Sequence, residues 1–408
     1  MKTKAVRLYG QNDLRLEEFE LPEIKNDQIL AKIHTDSICM SSYKAVMAGK
    51  EHKRVPNNID KKPIIIGHEF CGEIVKIGQK WQGKYKDIKN FVIQPALNYN
   101  GTLDAPGYSY EYIGGDATYV IIPNEVMEMD CLIPYNADAF YKGSLSEPLS
   151  CVIGAFNASY HTKQGTYEHI MGTKKDGNMV FLGGCGAMGS VALDYLLSAY
   201  ENKPKKVVIF DLNNEKIEFS KTLFMEKAEK VELIYTNDFS FLKQICPNGF
   251  DDAFVFAPDK DLIEKADSIL AKDGCLNFFA GPEKNDFSSE INFYNVHYNF
   301  THFVATSGGN SSDMRLAVSL IEKNKIDLSY LITHIGGLNS VIDATLNFPT
   351  VGGIKKLIYT NISMPLTKIS DFKALSNDNP LFARLYSICE KNNGFWCKEA
   401  EECLIFKK

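Results

Sequence analysis

Met179-Val180-Phe181-Leu182-Gly183-Gly184-Cys185-Gly186-Ala187-Met188-Gly189 joins an apolar run of strand length to a glycine-rich turn, and a helical pattern follows from Ser190 to Tyr200. In G-x-G-x-x-G, here Gly184, Gly186 and Gly189, missing side chains let the backbone approach a pyrophosphate at the N-terminus of the following helix. Lys206-Val207-Val208-Ile209-Phe210-Asp211 then reads as a second strand, ending in an acid 22 residues past Gly189. An isolated glycine motif would fit an ordinary tight loop as well. Strand, loop, helix and acid in this order instead describe a dinucleotide site. Gly184, Gly186, Ala187, Met188, Gly189 and Asp211 are therefore the expected cofactor contacts. Asp211 would bond a ribose 2′-hydroxyl and repel a 2′-phosphate, and Leu212-Asn213-Asn214 supplies no arginine, so NAD(H) is favoured over NADP(H). Further strand patterns at 231–235, 252–256, 275–279 and 302–306, with helical stretches between most of them, predict a doubly wound parallel sheet.

Upstream the pattern is different. Residues 1–35 alternate apolar and polar side chains between turn signals at Gly10-Gln11-Asn12-Asp13 and Lys25-Asn26-Asp27, which predicts short strands of a β-rich domain. Pro63-Ile64-Ile65-Ile66-Gly67-His68-Glu69-Phe70-Cys71-Gly72-Glu73-Ile74 runs as a strand, turns at Gly67 and resumes. In extended backbone His68 and Glu69 would point to opposite faces, so their convergence needs the turn. By itself the stretch fits a strand edge with two solvated polar residues as well as half of a metal site. Glu147 precedes Pro148 and is expected at an element boundary, with a helix from Leu149 to about Tyr160. Lys50, His52, Lys53 and Arg54 form a local basic cluster, read either as a solvated loop face or as an anion-binding loop.

The 408 residues suffice for two domains, and 45% hydrophobic with 24% charged residues is ordinary for a globular chain. A net charge of −6 speaks against a nucleic-acid partner. No run approaches the length of a membrane span, and Met1-Lys2-Thr3-Lys4-Ala5-Val6 leads into a strand without an apolar leader, so no membrane association is expected. The 10 cysteines lack paired spacing, which suits free thiols in a reducing cytoplasm.

Cys39-x-Ser41, Gly67-His68-Glu69, Glu147-Pro148-Leu149 and then the dinucleotide fingerprint stand in the order found in zinc-dependent medium-chain dehydrogenases. The chain resembles that family over residues 1 to about 360, and within it the polyol dehydrogenase branch. The segments GHEFCGEI, IPNEVM, EPLSCVIGAFNA, GCLNFFAGP, INFYNVHY, Thr306-Ser307-Gly308-Gly309-Asn310 and the terminal KEAEECL look like the sugar-phosphate reductases of that branch, C-terminal extension included. The resemblance implies an α/β fold: a GroES-like β-rich catalytic domain and a Rossmann domain. The expected bounds are 1–155, 156–308, and 309–408 returning to the catalytic domain. It implies Cys39, His68 and Glu147 as zinc ligands, with Glu69 binding the metal or swinging onto it. Ser41 would relay a proton to the nascent alkoxide. Lys44 stands where the family often has a relay histidine, and either takes that role or binds substrate. Ser307 and Gly308 join the cofactor contacts.

The implied chemistry is polarisation of a ketone by zinc as Lewis acid and hydride transfer from NAD(P)H, reducing a ketose phosphate. Lys44, Lys53 and Arg54, between Cys39 and His68, would hold the phosphate. The family's structural zinc uses four cysteines in the lobe that here spans 94–115, which has none, so one catalytic zinc and no structural zinc are expected. The family tends to homodimers or homotetramers. Two other readings stay open: a polyol dehydrogenase acting on unphosphorylated alditols, and a redox-inactive dinucleotide-binding protein that has no need of an open metal site.

Overall fold

The parallel sheet forms in the order the glycine-rich stretch demands. A computed structural model describes residues 1–406 of the chain, and they divide into two compact units, one of residues 148–309 and the other of the segments on either side of it. The second unit is built on Asn178–Leu182, flanked by Lys206–Phe210 and then Glu232–Thr236 on one side, and by Phe250–Val255, Leu270–Phe278 and His302–Val304 on the other. All five pairings are parallel, so in chain order the strands lie 3-2-1-4-5-6, the doubly wound dinucleotide arrangement. Val180, Val208, Ala253 and Leu276 fill one of its cores, as apolar runs buried on both faces require.

The first unit is mainly antiparallel. Ile29–Ile38 is its central strand, pairing with Phe70–Ile77, Tyr119–Ile122 and Lys355–Tyr359. That last strand arrives from the far end of the sequence. A second sheet of three strands places Ile64–Ile65 against Lys2–Gly10. The 94–115 lobe is anchored by packing, with Leu97 and Ile113 in one core and Ala105 and Tyr108 in another.

One element expectation shifts. The helix expected from Leu149 begins at Ser146 and runs to Ala158, because proline is tolerated in a first turn, where its missing N–H costs nothing. The 155/156 domain boundary expected from sequence thus lies inside this helix. The C-terminal residues from Leu366, a mostly polar stretch with helical patches in the sequence, form the helices Phe372–Leu375, Pro380–Lys391 and Lys398–Phe406. These bury Phe372, Leu385, Cys389, Trp396 and Leu404.

Candidate active site

The turn between Ile65 and Phe70 decides the site. Gly67 adopts φ +90, and a Cβ there would meet the Asp116 backbone nitrogen at 2.8 Å and Asp36 Oδ2 at 2.9 Å, so only glycine lets the chain turn at this point. Asp36 Oδ1 accepts the Glu69 N–H at 3.2 Å and fixes the exit from the turn. Asp36 and Asp116 are both buried. Burial and then, for Asp36, the neighbouring Asp116 raise these carboxyls, Asp116 to about 8, as expected for acids withdrawn from water beside one another.

Cys39, which precedes the helix Met40–Ala48, meets this turn. One donor atom each from Cys39, His68 and Glu69 lies within 4.8 Å of the others. His68 Nδ1 is 3.2 Å from Ser42 Oγ, while Nε2 is 3.2 Å from both Ser41 Oγ and Tyr108 Oη. Ser41 Oγ also donates to Cys39 Sγ at 3.1 Å. With Nδ1–H given to Ser42, Nε2 carries the lone pair beside Ser41 and Tyr108, the tautomer a ligating imidazole needs. Burial, then the Lys355 charge, lowers His68, and burial raises the Cys39 thiol to about 12. A thiol, an imidazole and a carboxylate at this spacing form a donor set suited to Zn²⁺.

Glu147, in the first turn of its helix and 9% exposed, stands outside that 4.8 Å ring. Its charge is nonetheless close enough to raise both Cys39 and Lys355. Lys355 is the group that sequence reasoning missed. Its Nζ lies 2.5 Å from Glu69 Oε1 and also contacts Oε2, and both residues are almost wholly buried. Tyr108 was missed as well.

Tyr108 connects the basic loop to this centre. Its ring lies 4.8 Å from the His68 ring, 5.7 Å from that of His52, and 5.3 Å from the Arg54 guanidinium carbon, within cation–π range. Burial and then Arg54, Lys53 and Lys44 push His52 down to about 4, and burial with Arg54 and Lys44 lowers Lys53. Lys44 and Arg54 are therefore both near enough to repel Lys53.

In the second unit, Asn178–Leu182 leads through the glycine loop into the helix Ala187–Ser198. A Cβ on Gly184 would press on Phe181 and Ile209, and one on Gly189 would lie 2.2 Å from the Gly184 carbonyl oxygen. A Cβ on Gly186 meets nothing closer than 3.9 Å, which leaves the loop's backbone there open to approach. Asp211 follows the second strand and accepts the Cys185 N–H at 3.1 Å and the Asn213 N–H at 3.0 Å. Gly308 has φ +89, and Gly309 packs on the Ser150 backbone. Ser307 thus stands beside a left-handed turn.

The fold and donor set define a metal- and nicotinamide-linked dehydrogenase. A family model described as the alcohol dehydrogenase GroES-like domain matches residues 25–130. L-sorbose 1-phosphate reductase of Klebsiella pneumoniae is 47% identical over 99% of this chain and 97% of its own length. Mannitol-1-phosphate 5-dehydrogenase of Aliivibrio fischeri is 42% identical over the same shares. The crystal structure of 2R,3R-butanediol dehydrogenase from Bacillus subtilis superposes with a TM-score of 0.70 at 20% identity, covering 88% of this chain and all of that one. The chain belongs to the zinc-dependent medium-chain dehydrogenase family and, within it, to the NAD(P)-linked oxidoreductases of sugar phosphates and polyols. No helix among the described residues is long and apolar enough to cross a membrane.

Proposed function

We propose that this protein reduces L-sorbose 1-phosphate to D-glucitol 6-phosphate: ketose phosphate, NAD(P)H and one proton give alditol phosphate and NAD(P)⁺. The observation that carries the reading is Tyr108, packed between the basic loop and the donor set, with Arg54 at one side and His68 at the other. A phosphate held by Arg54, Lys53 and Lys44 would place a neighbouring carbonyl beside Cys39 and His68. Bound zinc supplies Lewis acidity toward that carbonyl oxygen, and the nicotinamide supplies hydride.

The chain's own residues do the rest. Cys39 as thiolate, His68 through Nε2 and Glu69 would hold the metal, with Glu147 close by. Glu69, paired with Lys355 in the structure, would serve as ligand either permanently or in turn with that pair. Ser41, in contact with both Cys39 and His68, hands the proton to the developing alkoxide. Lys44 serves the phosphate rather than the relay, because it shares a neighbourhood with His52 and Lys53. One zinc per chain is proposed, since residues 94–115 contain no cysteine. NADH is favoured because Asp211 would repel a 2′-phosphate. A reducing cytoplasm suits 10 free cysteines, and a homodimer or homotetramer is the proposed assembly.

A second reading, suggested by the mannitol-1-phosphate relative, separates the phosphate from the reacting carbon by most of the sugar's length. The test is reduction by zinc-replete protein of L-sorbose 1-phosphate, D-fructose 6-phosphate and free L-sorbose, each with NADH and NADPH. Preference for L-sorbose 1-phosphate supports the first reading, and preference for D-fructose 6-phosphate the second. Equal turnover of the free sugar overturns both.

A further inference from the structure

The C-terminal extension carries a buried carboxylate. Glu401, on the helix Lys398–Phe406, is 4% exposed, and a charge so placed is costly unless it is hydrogen-bonded. Its partners lie outside the extension. Phe140 N–H donates to Oε1 at 2.7 Å, Tyr141 N–H to Oε2 at 2.9 Å, and the Tyr359 hydroxyl to Oε2 at 2.9 Å. Trp396 Nε1–H, also from the extension, donates to the Tyr359 oxygen at 2.8 Å.

Both protein segments gripped in this way lead to the candidate metal centre. Phe140 and Tyr141 open the short helix Phe140–Ser144, whose N-cap Ala139 has no side chain able to satisfy the free amides of a first turn. Glu401 supplies what Ala139 lacks. The segment is held further along by Thr35, 2.6 Å from Ser144 Oγ, and by Ser146 Oγ on the Gly143 carbonyl at 2.6 Å. Glu147 follows at once. Tyr359 ends the strand Lys355–Tyr359, whose first residue holds Glu69. Two groups at the centre, Glu147 and Lys355, thus sit on backbone that converges on one carboxylate from the end of the chain.

We propose that Glu401 is a positioning residue through which the C-terminal extension sets the placement of Glu147 and Lys355, and so the hold on zinc. The proposal rests on the metal reading above. A purely structural Glu401 would affect melting alone. A positioning Glu401 affects the metal at temperatures where the protein is fully folded.

The experiment uses full-length wild type, Glu401→Ala, Glu401→Gln and Tyr359→Phe, loaded with zinc and confirmed folded by circular dichroism. Zinc release to a chromogenic chelator is followed alongside kcat and KM. Loss of a group that orients a metal site weakens metal binding by roughly 10–100-fold, so Glu401→Ala is expected to lose zinc about tenfold faster or more. Its kcat falls while KM for NADH stays unchanged, and Glu401→Gln recovers part of both effects. If Glu401→Ala does not fold, Tyr359→Phe, which removes only one donor, carries the same test with a smaller effect. Variants that melt earlier but release zinc and turn over like wild type overturn the proposal. A wild type that retains no zinc overturns the metal reading beneath it instead.

Discussion

Lys355 donates to both carboxylate oxygens of Glu69, 286 residues away in sequence, with side-chain exposures of only 5% and 1%. The strong field of that carboxylate outweighs the burial that would otherwise neutralise the lysine, and Lys355 is held above its ordinary value. Breaking such a pair from one side strands a charge, which costs about 3–5 kcal/mol. Lys355→Met is therefore expected to lose stability on that scale in urea unfolding of the zinc-free protein, with Glu69→Gln/Lys355→Met recovering most of it. Equal losses in the single and double variants would show that the two charges are not coupled.

The basic loop makes a prediction that separates binding from chemistry. Arg54 is partly buried over Tyr108, whereas Lys53 is exposed. Hydrogen bonds to charged groups contribute about 1.5–3 kcal/mol, so Arg54→Gln should raise KM for the sugar phosphate roughly 10–100-fold. Lys53→Gln should raise it less. Neither should change KM for an unphosphorylated ketose, and a parallel rise for both substrates would remove the phosphate from the argument.

How much of this was legible in the sequence depended on distance along the chain. The glycine fingerprint and the Gly67 turn are local, and each states its own backbone requirement. Cys39 and Glu147 could be placed only through resemblance. Lys355 and Glu401 left fainter signals. Lys355 is in phase with Leu357 and Tyr359 on its strand, where alternation marks a shared face. Glu401 falls in the stripe Cys397, Ala400, Leu404 at helical spacing, an acid where the pattern calls for an apolar residue. Tyr108 lies in an irregular loop without periodicity, and only tertiary packing brings it to His68. The extension mixes polar and apolar residues without a long apolar run, and its buried side chains show only as helical spacing, Phe382, Leu385 and Cys389 on one helix and Ala400, Cys403 and Leu404 on the next.

Cofactor preference should follow Asp211. Its carboxylate is already fixed by the amides of Cys185 and Asn213, so a 2′-phosphate would meet an anion that cannot easily turn away. Asp211→Asn keeps an acceptor for one amide and removes the charge. The ratio of kcat/KM for NADPH over NADH is expected to rise by about tenfold, equivalent to about 1.4 kcal/mol. An unchanged ratio would mean that other groups select the cofactor.

The last prediction concerns the second unit and needs no metal. His161 is 6% exposed. Its Nδ1 is 2.9 Å from the Asp273 carbonyl oxygen, and its Nε2 is 3.3 Å from Asp252 Oδ1. With Asp252 ionised both ring nitrogens face acceptors, and the imidazole is then satisfied as a double donor, that is, protonated. Burial opposes that charge, but Asp252 and Asp273 prevail and His161 is raised, with Asp251, His302 and the Lys174 amide completing the surroundings. A raised folded value means the native state binds the extra proton, so this stabilisation is complete below about 6.5, the unfolded value, and is lost as pH rises through the raised one. Melting of wild type should therefore fall across that window more steeply than melting of His161→Gln, which cannot take up the proton. Parallel curves would show that His161 is neutral in the folded protein and that Asp252 carries the proton instead.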